Sequence, residues 1–222
     1  MLLERKKIAM VLAEFLGTAI LTSVVLAVSK SNVGIAYFVS LAAGLALAAG
    51  MLFFGAASGA HFNPAITIGM WTARRMKTLP ALAYIAAQLL GGLAAYQLFS
   101  YLVNNTIPAS GAYDSRILVA EAVGAFIFSL ACAATVYNKF SADKSALLAG
   151  AAFVVGLIVA SVASVPGVSL LNPAIALGMN TWVWGTYVLG PILGAVIGFN
   201  LYALLFAPAN SLLAKAGKAE KK

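Results

Sequence analysis

Six stretches of the chain, at about 8–28, 33–54, 80–103, 117–137, 145–165 and 185–206, are apolar almost without a break. A helix rises about 1.5 Å per residue, and about 20 apolar residues cross the hydrocarbon core of a bilayer, so each stretch is long enough to span. The runs are continuous and rich in Leu and Ala rather than alternating, which predicts helices and not the strands of a barrel. Charged residues make up 9% of the 222 and hydrophobic ones 63%. A soluble domain carries about 25% charge. This chain cannot cover a watery surface, so lipid must be the solvent for most of its exterior. The expectation is an all-α membrane protein, with 1–222 forming a single transmembrane domain. The first span begins close to Met1 and imitates a secretory leader, but its apolar run reaches Val28. That exceeds the about 7–15 residues of a leader's core, and the segment reads as a retained span.

The formal charge of +8 needs a location before it implies a partner. The basic residues fall between or beyond the spans: Arg5, Lys6 and Lys7; Arg74, Arg75 and Lys77; Lys139 and Lys144; and Lys215, Lys218, Lys221 and Lys222. This pattern follows membrane topology and not phosphate binding, so no nucleic-acid partner is expected. With both termini cytoplasmic, all four clusters are inside and only Lys30 and Arg116 are outside. The plasma (inner) membrane is the expected location. Residues 207–222 read as a basic cytoplasmic tail able to touch anionic lipid. One cysteine, Cys132, makes no intrachain disulfide, and one histidine, His61, makes no metal site. Neither metal nor cofactor is expected.

Two inserts interrupt the spans. Residues 55–76 contain Asn63-Pro64-Ala65, and residues 166–182 contain Asn172-Pro173-Ala174. Asn is a favoured helix N-cap, and Pro at the first helical position gives up an N–H that has no partner there. Neither insert accommodates a full span beside its loop residues. Each reads as a re-entrant loop returning through a half-helix, about 64–73 and 173–181. Irregular backbone at membrane depth is tolerated only where protein buries it or where it lines a cavity. In the orientation above, the first loop enters from the cytoplasm and the second from outside, so the half-helices meet head to head. As N-caps, Asn63 and Asn172 accept backbone N–H bonds through their oxygens. Their NH₂ groups are then expected to be free and to point into a lumen, with positive helix ends beside them.

The chain also repeats. Ala13-Glu14-Phe15-Leu16-Gly17 recurs as Ala120-Glu121-Ala122-Val123-Gly124, at nearly the spacing that separates the two Asn-Pro-Ala copies. Each half, about 8–103 and 117–206, holds three spans and one re-entrant loop, and an odd number of spans forces the halves into opposite orientations. Glu14 and Glu121 are acids inside apolar spans, where an ionisable group needs a partner. Backbone N–H groups of the re-entrant loops are the expected partners, which makes the carboxylates loop supports and not a proton relay. His61, just before the first Asn, either braces the same loop or lines the cytoplasmic mouth.

These residues resemble the aquaporin and glycerol-facilitator superfamily, the major intrinsic proteins. The similarity runs over nearly the whole chain: Ser58 to Gly69 around the first Asn-Pro-Ala, the Ala-Glu-Phe-Leu-Gly-Thr string ending at Thr18, Tyr84, Gln88, Gly91 and Gly92 on the third span, and Pro191, Gly194 and Gly198 on the sixth. The resemblance implies an hourglass pore in each subunit, a homotetramer of independent pores, and water and small neutral solutes as the permeating partners. It also implies a narrow filter completed by an arginine directly after the second Asn-Pro-Ala. Here that position is Ile175, and the other filter positions align with Ala43, Ser161 and Ser169 (or Leu170). Small uncharged residues at these places are expected to make a wider, less polar constriction. It would pass glycerol, urea, ammonia, peroxide or undissociated metalloid acids as well as water. A coupled secondary transporter also uses inverted repeats and broken helices, and a closed structural member of the family is a further alternative. No nucleophile–base pair points to an enzyme.

Overall fold

Every apolar stretch becomes a helix in the computed structural model, which describes residues 2–31, 35–164 and 169–209. The elements run α1 Leu2–Ser29, α2 Ala36–Ser58, α3 Pro64–Thr72, α4 Thr78–Leu102, α5 Ser115–Asn138, α6 Ala142–Ser161, α7 Pro173–Gly178 and α8 Gly190–Leu205; a π-helical segment, Trp184–Leu189, leads into α8. No strand occurs among the described residues. Six helices are long and apolar enough to span: α1, α2, α4, α5, α6 and the π segment joined to α8. The short α3 and α7 are the two half-helices. The basic tail expected at 207–222 falls largely on residues 210–222, outside the described residues.

Two elements differ from expectation, each for a local reason. Helix α7 stops at Gly178, short of 181. Asn180 takes a left-handed φ of 56°, and the Thr181 N–H turns back to the Ala176 carbonyl. The sixth span is not α-helical throughout. Pro191 has no N–H to offer the carbonyl one turn earlier, and the turns just before it are widened into the π segment.

The packing maps onto itself when the halves are exchanged. Helix α1 packs on α2 and α4, and α5 packs on α6 and α8 in the same way. Half-helix α3 lies against α8 of the other half, and α7 lies against α4. The pair α2–α6 joins the halves and is its own counterpart. This is the inverted repeat expected from the duplicated Glu and Asn-Pro-Ala strings, now as a set of contacts.

Glycines set the distances at these crossings. A Cβ on Gly150 would stand 2.7 Å from the Gly44 carbonyl oxygen, so α2 and α6 touch backbone to backbone. Gly124 and Gly156 do the same between α5 and α6: a Cβ on Gly124 would lie 2.5 Å from the Gly156 carbonyl and 2.7 Å from Leu171. Close approach through small residues is how helices associate where lipid removes the hydrophobic drive. Gly124→Ala should therefore overpack both the α5–α6 crossing and the loop behind it, costing about 1–3 kcal/mol. Gly55→Ala, with no neighbour within 4 Å of the added Cβ, should instead stabilise α2 by about 0.5–1 kcal/mol. Thermal unfolding of the solubilised protein should show midpoints moving in opposite directions for the two variants.

Candidate functional site

The two Asn-Pro-Ala turns meet at the centre of the bundle. Asn63 and Asn172 have the extended backbone of an N-cap, φ −154° and −152°. Asn63 Oδ1 accepts from the Ala65 N–H at 2.8 Å, and Asn172 Oδ1 accepts from the Ala174 N–H at 3.0 Å. Pro64 and Pro173 occupy the first helical positions. Pro64, Ala65, Pro173 and Ala174 are all buried.

The amide groups are not wholly free, contrary to expectation. Asn63 Nδ2 donates to the Leu171 carbonyl and Asn172 Nδ2 donates to the Phe62 carbonyl, both at 2.9 Å. Each cap therefore reaches across to the residue that precedes the other cap. An NH₂ group carries two hydrogens, so one per amide is committed to the opposite loop and one is left over. The crossing bonds explain why Asn63 is only 2% exposed and Asn172 fully buried.

Phe62 and Leu171 are the residues that sequence reasoning missed. Both adopt positive φ, 47° and 53°, which is uncommon for residues with a Cβ and is held only where surroundings enforce it. Each is clasped at both ends. The Phe62 N–H donates to Glu14 Oε2 at 2.8 Å while its carbonyl takes the Asn172 amide. The Leu171 N–H donates to Glu121 Oε2 at 2.7 Å while its carbonyl takes the Asn63 amide. Their side chains are wedged against glycines, Phe62 between Gly17 and Gly50 and Leu171 between Gly124 and Gly156. The recurrence of Gly17 and Gly124, each three residues after its Glu, was the available signal.

Glu14 and Glu121, both fully buried, receive further donors. Glu14 Oε1 accepts from Ser58 Oγ at 2.7 Å and from the His61 N–H at 3.0 Å; Oε2 also accepts from Gln88 Nε2 at 2.8 Å. Glu121 Oε1 accepts from the Leu170 N–H at 2.8 Å. Around Glu14 the network extends outward: Gln88 Nε2 donates to Thr67 Oγ1 at 2.9 Å, Thr67 lies 3.0 Å from His61 Nδ1, and Tyr84 Oη donates to the Ser58 carbonyl at 2.8 Å. Gln88, a polar residue inside an apolar span, carried the same signal as the two acids. His61 is bonded in the loop through its backbone N–H and Nδ1, and it is also among the residues that line a cavity.

That cavity, about 100 Å³, lies on the side of the N-terminus. Leu47, Met51, Ile66, Met70 and Phe128 supply its apolar wall, with His61, Cys132 and Thr135 beside them. On the other side of the caps are the four positions aligned with a filter. Ala43, Ser169 and Ile175 share one small space with Val25, Val39, Phe153, Leu157 and Leu170. Ser161 adjoins it, its Oγ accepting from the Ser169 N–H at 3.2 Å. The wider constriction expected there is not found. The space these residues line has no room for a water-sized sphere. Ala43 and the serines are small, but Phe153, Leu157, Leu170 and Ile175, each 3% exposed or less, fill the volume they leave.

Among the described residues no group of three or more His, Cys, Asp or Glu comes together as a metal site. At the start of α5, Asp114 caps the helix and pairs with Arg116 at 2.9 Å; the hydrogen bonds from Arg116 hold the Asp114 carboxyl below its ordinary range.

Comparison with known proteins places this architecture. The family model described as Major intrinsic protein matches residues 2–202. Aquaporin Z of Photorhabdus laumondii is 31% identical, over 88% of this chain and 96% of that protein. Glycerol uptake facilitator protein-like 6 of Lactiplantibacillus plantarum is 32% identical, over 84% and 93% respectively. The X-ray structure of the aquaglyceroporin from Plasmodium falciparum shares the fold, with a TM-score of 0.69 at 22% identity over 93% of this chain and 99% of that one. With paired caps, paired carboxylates and six spans in two inverted halves, the chain belongs to the major intrinsic protein family.

Proposed function

We propose that this protein is a passive membrane channel for water and small uncharged solutes, passing them between the two Asn-Pro-Ala caps and through an outer constriction that lacks an arginine. The observation that carries the reading is the reciprocal bonding of the caps. It fixes two helix N-termini and two spare amide hydrogens at one depth, where a polar molecule accepts from them and a cation is disfavoured. Relatives named for water and for glycerol both match the chain over most of its length, which fits water and small neutral solutes as a class. In this reading Ala43, Ser161, Ser169 and Ile175 form the outer filter. Glu14, Glu121 and His61 support the loops. Four copies assemble as a homotetramer in the plasma membrane, surrounded by lipid, with both termini cytoplasmic.

Stopped-flow light scattering on proteoliposomes tests the reading. Osmotic shocks should give water or solute flux above bare lipid, and imposing a proton or sodium gradient should leave that flux unchanged. Flux driven by either gradient would instead identify a coupled transporter, and none above lipid a structural protein.

The support role separates from proton relay by substitution. Glu14→Gln replaces an acceptor oxygen by a donor facing N–H groups, leaving at least one buried donor unmade at about 1–3 kcal/mol each. The unfolding midpoint should fall and water flux with it, whereas a relay residue would alter proton leak while leaving the midpoint in place.

A further inference from the structure

We infer that the outer constriction sorts solutes by how many hydrogen bonds they must give up, and not by their size. It favours small neutral molecules with few hydrogen-bonding groups, such as monoamides and short diols, over compact but strongly hydrated ones such as urea, glycerol and water. The inference rests on the channel reading above and deepens it.

The space enclosed by Val39, Ala43, Phe153, Leu157, Leu170 and Ile175 offers aliphatic and aromatic surface, and Ser169 is the one polar side chain on its wall. The polar side chains beside it, Ser161, Ser164 and Ser169, are partly engaged with one another. Ser161 Oγ accepts from the Ser169 N–H, and the Ser164 and Ser169 hydroxyls stand 3.4 Å apart. The Leu170 N–H belongs to Glu121. Where an arginine would present a fork of donors, Ile175 presents none. A water molecule entering such a space needs two to four polar partners to be held, and apolar constrictions of this kind obstruct it by dewetting. The inner cavity lies beyond the constriction and does not change the count within it. Thr135 Oγ1 is bonded to the Cys132 carbonyl at 2.8 Å, and His61 Nδ1 to Thr67 at 3.0 Å. A solute therefore crosses the outer half with most of its hydrogen bonds unreplaced, and the number it started with sets the barrier.

The gap is closed by side chains and not by backbone alone. Leu157, Leu170 and Ile175 are flexible or branched aliphatics whose rotation admits a small molecule at little polar cost. An apolar side chain displaced by an apolar part of a solute exchanges like for like. The same displacement by water does not.

The test uses the full chain in proteoliposomes and pairs of solutes matched in size. Acetamide should exceed urea, and 1,3-propanediol should exceed glycerol, in flux after subtraction of bare lipid. Two variants separate polarity from volume, because Val and Thr have nearly the same shape. Ile175→Val and Ile175→Thr both relieve packing, but only Thr adds a hydroxyl. One added hydrogen-bond partner is expected to raise water flux about tenfold in the Thr variant over the Val variant and to narrow the gap between glycerol and propanediol. Equal fluxes within the matched pairs, or equal water flux in the two variants, overturn the inference while leaving the channel intact. No flux above lipid from the unmodified chain or either variant overturns the channel reading itself.

Discussion

Two buried carboxylates hold the centre of this molecule together. A re-entrant loop brings unpaired backbone N–H groups to a depth where no solvent can satisfy them, and Glu14 and Glu121 accept those groups directly. The bonds are charge-assisted and stronger than neutral ones. They therefore offset both the desolvation of the acids and the left-handed backbone at Phe62 and Leu171. From that one arrangement the remainder follows. The strained residues turn their carbonyls across the midline, the opposite Asn takes them, and each Asn oxygen is left to cap its half-helix. The loop backbone, the caps and the acids are thus one connected network rather than separate motifs.

The symmetry has a physical use. Because each cap donates to the loop of the other half, neither loop is in place until both are. The glycine crossings make this possible by letting α5 meet α6, and α2 meet α6, at backbone distance. A bulkier residue at Gly124 would push Leu171 away from Glu121 and, through the Leu171 carbonyl, would loosen Asn63 on the other side of the midline.

Most of this architecture was legible in the chain because its signals are local. Six apolar runs, two Asn-Pro steps and two isolated acids each have one strong physical reading, and their repetition supplied the inversion. What was not legible depended on three-dimensional closure. Nothing in the string shows that Phe62 and Leu171 take positive φ, since both are residues that avoid it. The loss of one hydrogen from each Asn amide to the opposite loop also requires knowing how close the loops come. Ala43, Ser161 and Ser169 are small in sequence, but Phe153 and Leu157, two turns and one turn before Ser161 on α6, line the same space. The widened segment before Pro191 was foreseeable from proline's missing N–H, yet hydropathy alone reads it as uninterrupted helix.

The position of Ile175 shows how such a scaffold tolerates change in what it passes. It lies in the first turn of α7, after the cap, Pro173 and Ala174, and its side chain takes no part in the bonding that fixes the loops. The network stays satisfied whichever side chain stands there. What constrains Ile175 is its neighbourhood: Phe153, Leu157, Leu170 and Val39 present it with apolar surface, and a charged side chain there would find few partners for its desolvation. The residue and its surroundings are consistent with each other: the space that Ile175 faces is lined by four helices, α1, α2, α6 and α7, and by the loop that leads into α7.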